Sequence, residues 1–266
     1  MTTKSLSPAQ RAFFRDNGFV TPVPAIDAGL ARELGGKVEQ LDPAIVKQKK
    51  LHLLLKWVND LMRTPTIVDA VEDVLGPDLL VWGTALFYKR PRDPGYVSWH
   101  QDATYWGLQP PDVVTAWVAL SPSNKTNGAL RLIPGSHLKE QLPHRQTFAE
   151  HNLLLSGQEI AVEVNESVAA MCELQPGEMS LHHIMAVHGS DPNPSDESRI
   201  GLAIRYIASH VRQTSKFRDT ATLVRGENRH QNFELEEAPD ADLSISARDY
   251  HRSIVQRTVS NLADVR

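Results

Sequence analysis

The sequence predicts a mainly β fold with supporting helices: a double-stranded β-helix, or cupin-like jelly roll. Three observations carry that expectation. After residue 78 the chain breaks into short strand-like runs separated by turns: Leu79 to Tyr88, Val113 to Leu120, Ala129 to Ile133, Val168 to Leu174, Met179 to Val187 and Ile200 to Ile207. No helical periods alternate with these runs, which points away from a doubly wound sheet and toward a sandwich or barrel. The turn signals Asn127-Gly128, Pro134-Gly135 and Pro176-Gly177 fall between runs, and the first of them reads as a hairpin.

The elements before residue 79 read as helical. Ser7-Pro8 is a cap followed by a first-turn proline, and Gly18 is a stop. Phe13, Phe14 and Phe19 are expected to pack inward. Asp27 caps a second helix with Leu30, Leu34, Val38 and Leu41 at helical spacing. Thr66 to Leu75 repeats the pattern, and Gly76 ends it. The tail carries an acidic stretch, Glu234 to Asp242, expected as a solvated loop, and a final helix from Ser244. The chain therefore reads as a single domain: a helical layer over about 1–78, a jelly-roll core over about 79–210 and a C-terminal extension over 211–266.

Composition narrows the function. At 266 residues, with 41% hydrophobic and 23% charged residues, the chain has material for a real core. A net charge of -4 gives no support for a nucleic-acid or membrane-surface partner. One cysteine, Cys172, rules out an internal disulfide and a cysteine-built metal site. No apolar run approaches membrane-spanning length, and the polar start shows no signal-peptide core. These features predict a soluble cytoplasmic protein.

The chemistry is concentrated in Trp99-His100-Gln101-Asp102 and in His188-Gly189-Ser190 followed by Arg199. Of the 11 histidines, only His100 is followed by Asp two places on. Tyr96, Val97 and Trp99 read as a strand delivering His100, with Asp102 on the same side by the two-residue period. Two imidazoles and one carboxylate hold Fe(II) on one face and leave the other face open. His182, His183 and His188 all compete for the third position. His188 is preferred because Gly189-Ser190 and an Asp-Pro-Asn turn place it at a strand end. Arg199 lies at the start of the next run, where a guanidinium can grip a carboxylate through two parallel hydrogen bonds. Arg205 shares its face and is a candidate for an anionic group on a substrate. Arg131, His137, Arg212, Arg218 and Arg225 are expected near the barrel mouth in the same sense. Tyr105 and Trp106 are candidates to wall an apolar substrate instead.

Together with Thr115-Ala116-Trp117-Val118-Ala119-Leu120, Asn127-Gly128-Ala129-Leu130 and Pro134-Gly135-Ser136-His137, these motifs resemble the phytanoyl-CoA dioxygenase family of Fe(II)/2-oxoglutarate-dependent oxygenases. The resemblance runs from Phe13-Phe14 to about Arg225. It implies a double-stranded β-helix with His100, Asp102 and His188 on iron and Arg199 on the distal carboxylate of 2-oxoglutarate. It also implies that Ser190, Trp117, Lys89 and Thr115 line the co-substrate pocket. The reaction implied consumes 2-oxoglutarate and O2, yields succinate and CO2, and hydroxylates a small molecule. Related halogenases carry a small residue at the carboxylate position, so Asp102 implies hydroxylation. Two other readings are a cupin-type metal enzyme that needs neither 2-oxoglutarate nor Arg199, and a non-catalytic binding or sensing relative.

Overall fold

The computed structural model describes residues 5–154, 157–215 and 217–263, with side chains described to residue 257. The N-terminal helices are α1 (Pro8–Asn17), α2 (Ala28–Glu39), α3 (Pro43–Val46), α4 (Lys56–Leu61) and α5 (Pro65–Leu75). Ser7 caps α1 and, with Gln10, forms a reciprocal capping box; Gly18 closes it in the left-handed conformation. Asp27 caps α2 as expected. Leu34 and Val38 are buried on α2, whereas Leu30 is exposed. Phe14 and Phe19 are buried, but Phe13 is 45% exposed and only edges onto Phe19.

The N-terminal third is not wholly helical. Strand β1 (Phe19–Pro24) follows α1 directly. The remaining strands before residue 211 are β2 (Leu79–Lys89), β3 (Val97–His100), β4 (Leu108–Gln109), β5 (Val113–Ala119), β6 (Leu130–Leu132), β7 (His144–Gln146), β8 (Gln158–Ile160), β9 (Ala170–Cys172), β10 (Glu178–His183), β11 (His188–Ser190) and β12 (Arg199–Ala208). A short helix, α6 (Ala103–Trp106), follows β3. The C-terminal segment adds β13 (Arg212–Gln213), β14 (Thr220–Arg225), β15 (Glu234–Leu235) and helix α7 (Ile245–Ala263).

Two sheets make the jelly roll. The larger runs β1-β10-β5-β12-β2-β14-β15, and the smaller runs β3-β11-β6-β9. The helices α2, α4 and α5 bury Leu34, Val38, Val58, Ile67 and Val71 in one core cluster with Val114, Ala116, Val118, Leu202 and Ile204 of the large sheet. Those inward residues alternate along β5 and β12 with Thr115, Trp117, Ala203 and Arg205, which line a cavity on the opposite face. The sheet is therefore covered by apolar helices behind and presents a functional face in front.

Two expectations about connections are corrected. Met179 to Val187 is not one strand: the chain leaves the large sheet after His183 and enters the small sheet at His188. Asn127-Gly128 does not make a hairpin. It closes a short 3-10 turn (Lys125–Asn127), and the flanking β5 and β6 belong to different sheets. Gly128 adopts φ 75°, and a Cβ there would meet the carbonyl oxygens of Asp191 and Pro192. Its glycine is needed because another chain segment passes over it.

The acidic stretch is not simply solvated. The side chain of Glu236 is buried and accepts from Lys50 Nζ at 2.6 Å, Thr220 Oγ1 at 2.6 Å and Thr222 Oγ1 at 2.7 Å, and it meets His52 Nε2 at 2.9 Å. Burial alone would raise its carboxyl, but the charges of Lys50 and His52 outweigh that and hold it well below the usual range. The stabilisation is present above the ordinary carboxyl range and is lost only on strong acidification. Glu236 thus ties the C-terminal segment to the segment before α4. Glu236→Gln is expected to lower unfolding free energy by about 2 kcal/mol, read by denaturant titration. An unchanged midpoint would mean the cluster does not tether the segment.

Candidate active site

The small sheet brings the two histidines together. His188 on β11 pairs with His100 on β3, so both imidazoles leave neighbouring strands on one face, with ring centroids 4.1 Å apart. Asp102 joins them by a different route from the one expected. β3 ends at His100, and Asp102 has helical φ −59° and ψ −34° as it enters α6. The turn, and not strand alternation, swings its carboxylate back toward the rings. Oδ1 is 3.4 Å from His100 Nε2, and Oδ2 is 4.0 Å from His188 Nε2. One donor atom from each residue lies within 4.8 Å of the other two, and all three residues are buried.

The backbone fixes which ring atoms face the centre. His100 Nδ1 lies 2.9 Å from Ser98 O and 3.1 Å from His188 O. His188 Nδ1 lies 2.9 Å from Ala186 O. Carbonyl oxygens only accept, so each Nδ1 carries the hydrogen and each Nε2 presents a lone pair. Burial, then the neighbouring His100, drives the His188 imidazole far toward its neutral form. Burial opposes ionisation of Asp102, yet His100 and His188 hold its carboxyl at about 2. Two lone pairs and an anion thus converge, an arrangement that needs a cation between them. The donor set fits Fe(II) or a similar first-row divalent ion.

A second feature lies where the two sheets approach. Lys89 on β2 is the register partner of Arg199 on β12, and both are fully buried. Lys89 Nζ donates to Ser190 Oγ at 2.7 Å and to the carbonyl of Asp191. Arg199 donates to Gly128 O at 2.8 Å and to Ser190 Oγ at 3.3 Å, and its guanidinium lies 5.2 Å from the Trp117 ring centroid. Gly201 makes room for that ring, since a Cβ there would overlap it. Burial, then the charge of Arg199, pushes the Lys89 ammonium down to about 6, and burial lowers Arg199 to about 10. Among the described residues no carboxylate lies within ion-pair distance of either cation, and Arg199 Nε has no partner. A buried guanidinium and a buried amine that share one hydroxyl, with no carboxylate beside them, make a place suited to an anion from outside the chain.

The cavity joining these features measures about 1130 Å³ and contains His100, Asp102, His188, Ser190, Arg199, Trp117, Thr115, Arg205, Tyr105 and Trp106 on its walls. Thr115 lies on the Arg205 side and not with Lys89 and Arg199: its register partners are His182 and Arg205.

Arg131 and His137 are not in this cavity. Leu130 faces it, so Arg131 points from the opposite face of β6, where it pairs with Glu166 and Asp191 and stacks over Trp99. His137 packs beside His183 and contacts the Arg15 carbonyl at 3.0 Å. Arg225 is held by Asp69 and Glu72, and Arg218 by the Gln231 carbonyl. Arg212 is exposed on β13.

His182, weighed from sequence as an alternative third ligand, comes within 4.9 Å of His188, centroid to centroid, and lines the cavity. The structure also adds residues that sequence reasoning passed over: Trp82 and Phe87 line the same cavity. Gln101, between the ligand positions, is fully buried. It donates to Met185 O at 2.8 Å and accepts from Leu142 N at 2.8 Å, bracing the loop beneath the site. The polar residue between two apolar-flanked ligands was its only sequence signal.

Fold and donor set define a jelly-roll protein with two histidines and one carboxylate placed so that they could hold a metal ion. The chain belongs to the phytanoyl-CoA dioxygenase (PhyH) family, whose model matches residues 14–201. It is 29% identical over 161 residues to a probable alpha-ketoglutarate-dependent hypophosphite dioxygenase of Stutzerimonas stutzeri, covering 59% of this chain and 55% of that protein. It is 28% identical to a probable phytanoyl-CoA dioxygenase of Caenorhabditis elegans, covering 53% and 48%. The chain thus spans about half the length of the curated relatives it matches. Among solved structures it is similar to the non-heme monooxygenase ThoJ in its apo form, with TM-score 0.83 and 34% identity over 96% of this chain and 98% of that one. The ThoJ–Ni complex gives 0.79 and 31% over 96% and 99%.

Proposed function

We propose that the protein is an Fe(II)- and 2-oxoglutarate-dependent oxygenase that hydroxylates an organic molecule and releases succinate and CO2, with its 266 residues acting as one unit. The observation that carries this reading is that the His100–Asp102–His188 donor set and the buried, carboxylate-free Arg199 guanidinium line one cavity, with Lys89 behind the wall and joined to it through Ser190. Bound Fe(II), with the oxo acid and O2, would supply the oxidising chemistry. The chain supplies the rest. His100, Asp102 and His188 hold the metal from one side. Arg199 grips the far carboxylate of the co-substrate, Lys89 adds charge, and Ser190 bridges the two. Trp117 walls the co-substrate from water and braces the Arg199 guanidinium. Asp102 occupies the coordination place that chloride would need, which favours hydroxylation over halogenation.

The test is anaerobic addition of Fe(II) and 2-oxoglutarate. A weak visible metal-to-ligand charge-transfer band is expected, and its absence from reconstituted protein would overturn the co-substrate assignment. Lys89 gives a further expectation. With its ammonium at about 6, the free site is largely neutral there above that pH, and the arriving dianion draws a proton onto it. Binding of 2-oxoglutarate should take up close to one proton near pH 7.5, and affinity should fall as pH rises above about 6. Calorimetry in buffers of different ionisation enthalpy reads the uptake. Zero uptake would place Lys89 outside the co-substrate's field.

The substrate has an apolar body. Trp82, Phe87, Tyr105 and Trp106 wall a cavity far larger than hypophosphite requires. Among the arginines first considered for an anionic group, Arg205 is the one within it. No helix among the described residues is long and apolar enough to cross a membrane. The lone Cys172 is buried, with its thiol pushed up to about 12. We propose a cytoplasmic location, with which a single unpaired cysteine is in keeping.

A further inference from the structure

Four residues stand side by side across the large sheet. His182 on β10 pairs with Thr115 on β5, Thr115 with Arg205 on β12, and Arg205 with Gly83 on β2. All four line the metal cavity. His182 and Thr115 are buried, at 2% and 3% exposure. Yet His182 Nδ1, Thr115 Oγ1 and Arg205 Nε have no hydrogen-bond partner. Buried polar atoms are nearly always paired, so three adjacent orphans mark a place shaped for an outside polar group.

The surroundings say what kind of group. The Arg205 guanidinium lies 4.8 Å from the Trp106 ring centroid, which braces it. A Cβ at Gly83 would stand 3.7 Å from its Nη1, so the cation extends over a bare stretch of backbone. Trp82 sits 5.2 Å from Trp106 at a tilt of 42°. Six residues of strand, about 20 Å between Cα atoms, separate Arg205 from Arg199, so one carboxylate cannot serve both.

We propose that Arg205, Thr115 and His182 form a substrate carboxylate site, and that the substrate is an aromatic carboxylic acid whose ring packs on Trp82 and Trp106. The carboxylate takes the guanidinium fork and the Thr115 hydroxyl, and the ring takes the aromatic wall. The proposal rests on the oxygenase reading above for the metal and oxo acid.

Calorimetry tests it on protein loaded with Ni(II), which keeps O2 chemistry out, and 2-oxoglutarate, and again on protein lacking both. The probes are 3-phenylpropionate and its neutral amide. Wild type is expected to bind the acid about tenfold or more tighter than the amide. Arg205→Leu should weaken the acid by about 30-fold and erase the preference, with 2-oxoglutarate affinity kept. Thr115→Val should weaken the acid by about threefold to tenfold and gives the same readout if the arginine variant fails to fold. Failure of the acid to bind, equal binding of acid and amide, or a preference that survives in both variants overturns the proposal. So does a variant that loses 2-oxoglutarate affinity while keeping the acid preference, since the row would then serve the oxo acid. If wild type binds the acid selectively but not 2-oxoglutarate, the co-substrate reading fails and the carboxylate site stands.

Discussion

Replacing Asp102 with alanine is expected to abolish 2-oxoglutarate-dependent substrate oxidation and to lower affinity for Fe(II) or Ni(II) by more than about a hundredfold. Loss of a partner that only orients a ligand already costs about tenfold to a hundredfold, and Asp102 is a ligand itself. It is also the anion of the set: His100 and His188 turn their Nε2 atoms to the centre, with their Nδ1 atoms held by the Ser98, His188 and Ala186 carbonyls. Without the carboxylate, the Arg205 guanidinium would face the metal with no intervening negative charge. The variant should still fold, because Asp102 is buried among groups that do not depend on it for their own hydrogen bonds, and His100 and His188 keep their backbone partners. Metal titration followed by succinate assay reads both effects. Near-normal metal affinity would remove Asp102 from the centre.

Arg199→Ala should leave metal affinity unchanged and weaken 2-oxoglutarate by about 30- to 1,000-fold, the range for truncating one side of a buried charge pair. Arg199 offers a buried, planar, two-pronged donor at that end of the cavity, and it has an unpartnered Nε to give. Lys89 alone cannot replace it, because its Nζ is already committed to Ser190 and the Asp191 carbonyl. Arg199→Lys should fall between the two, since it restores charge without the fork. Following the charge-transfer band during anaerobic titration separates this effect from metal loss. Unchanged affinity in the alanine variant would reject the assigned role and favour a metal enzyme that does without the oxo acid.

Much of the architecture was legible because local chemistry and tertiary outcome agree. Ser7-Pro8, Asp27 and Gly76 bound their helices as expected, since capping is settled within a turn of chain. The runs beginning at Leu79, Val113 and Ile200 became long strands because each is apolar enough to be buried on both faces. Strand β1 was hidden by the helical signals around it; it is a strand because β10 offers an open edge to pair with. Arg131 and His137 looked like pocket residues on proximity in sequence, but strand alternation and the crossing between sheets carry them elsewhere. Glu236 looked solvated because its partners, Lys50 and His52, lie more than 180 residues away.

Residue type and spacing by themselves determined the donor chemistry: a His-x-Asp pair, a distant histidine at a strand end, and an arginine after it, on a β-rich chain with no cysteine-built alternative. Only the folded chain decided that His188 and not His182 meets Asp102 at the centre, that Lys89 shares Ser190 with Arg199, and that Thr115 stands in a row with His182 and Arg205. The reason is physical. Ligand identity is a property of side chains, whereas which side chains meet depends on strand order and register, and those are set by burial of the whole sheet.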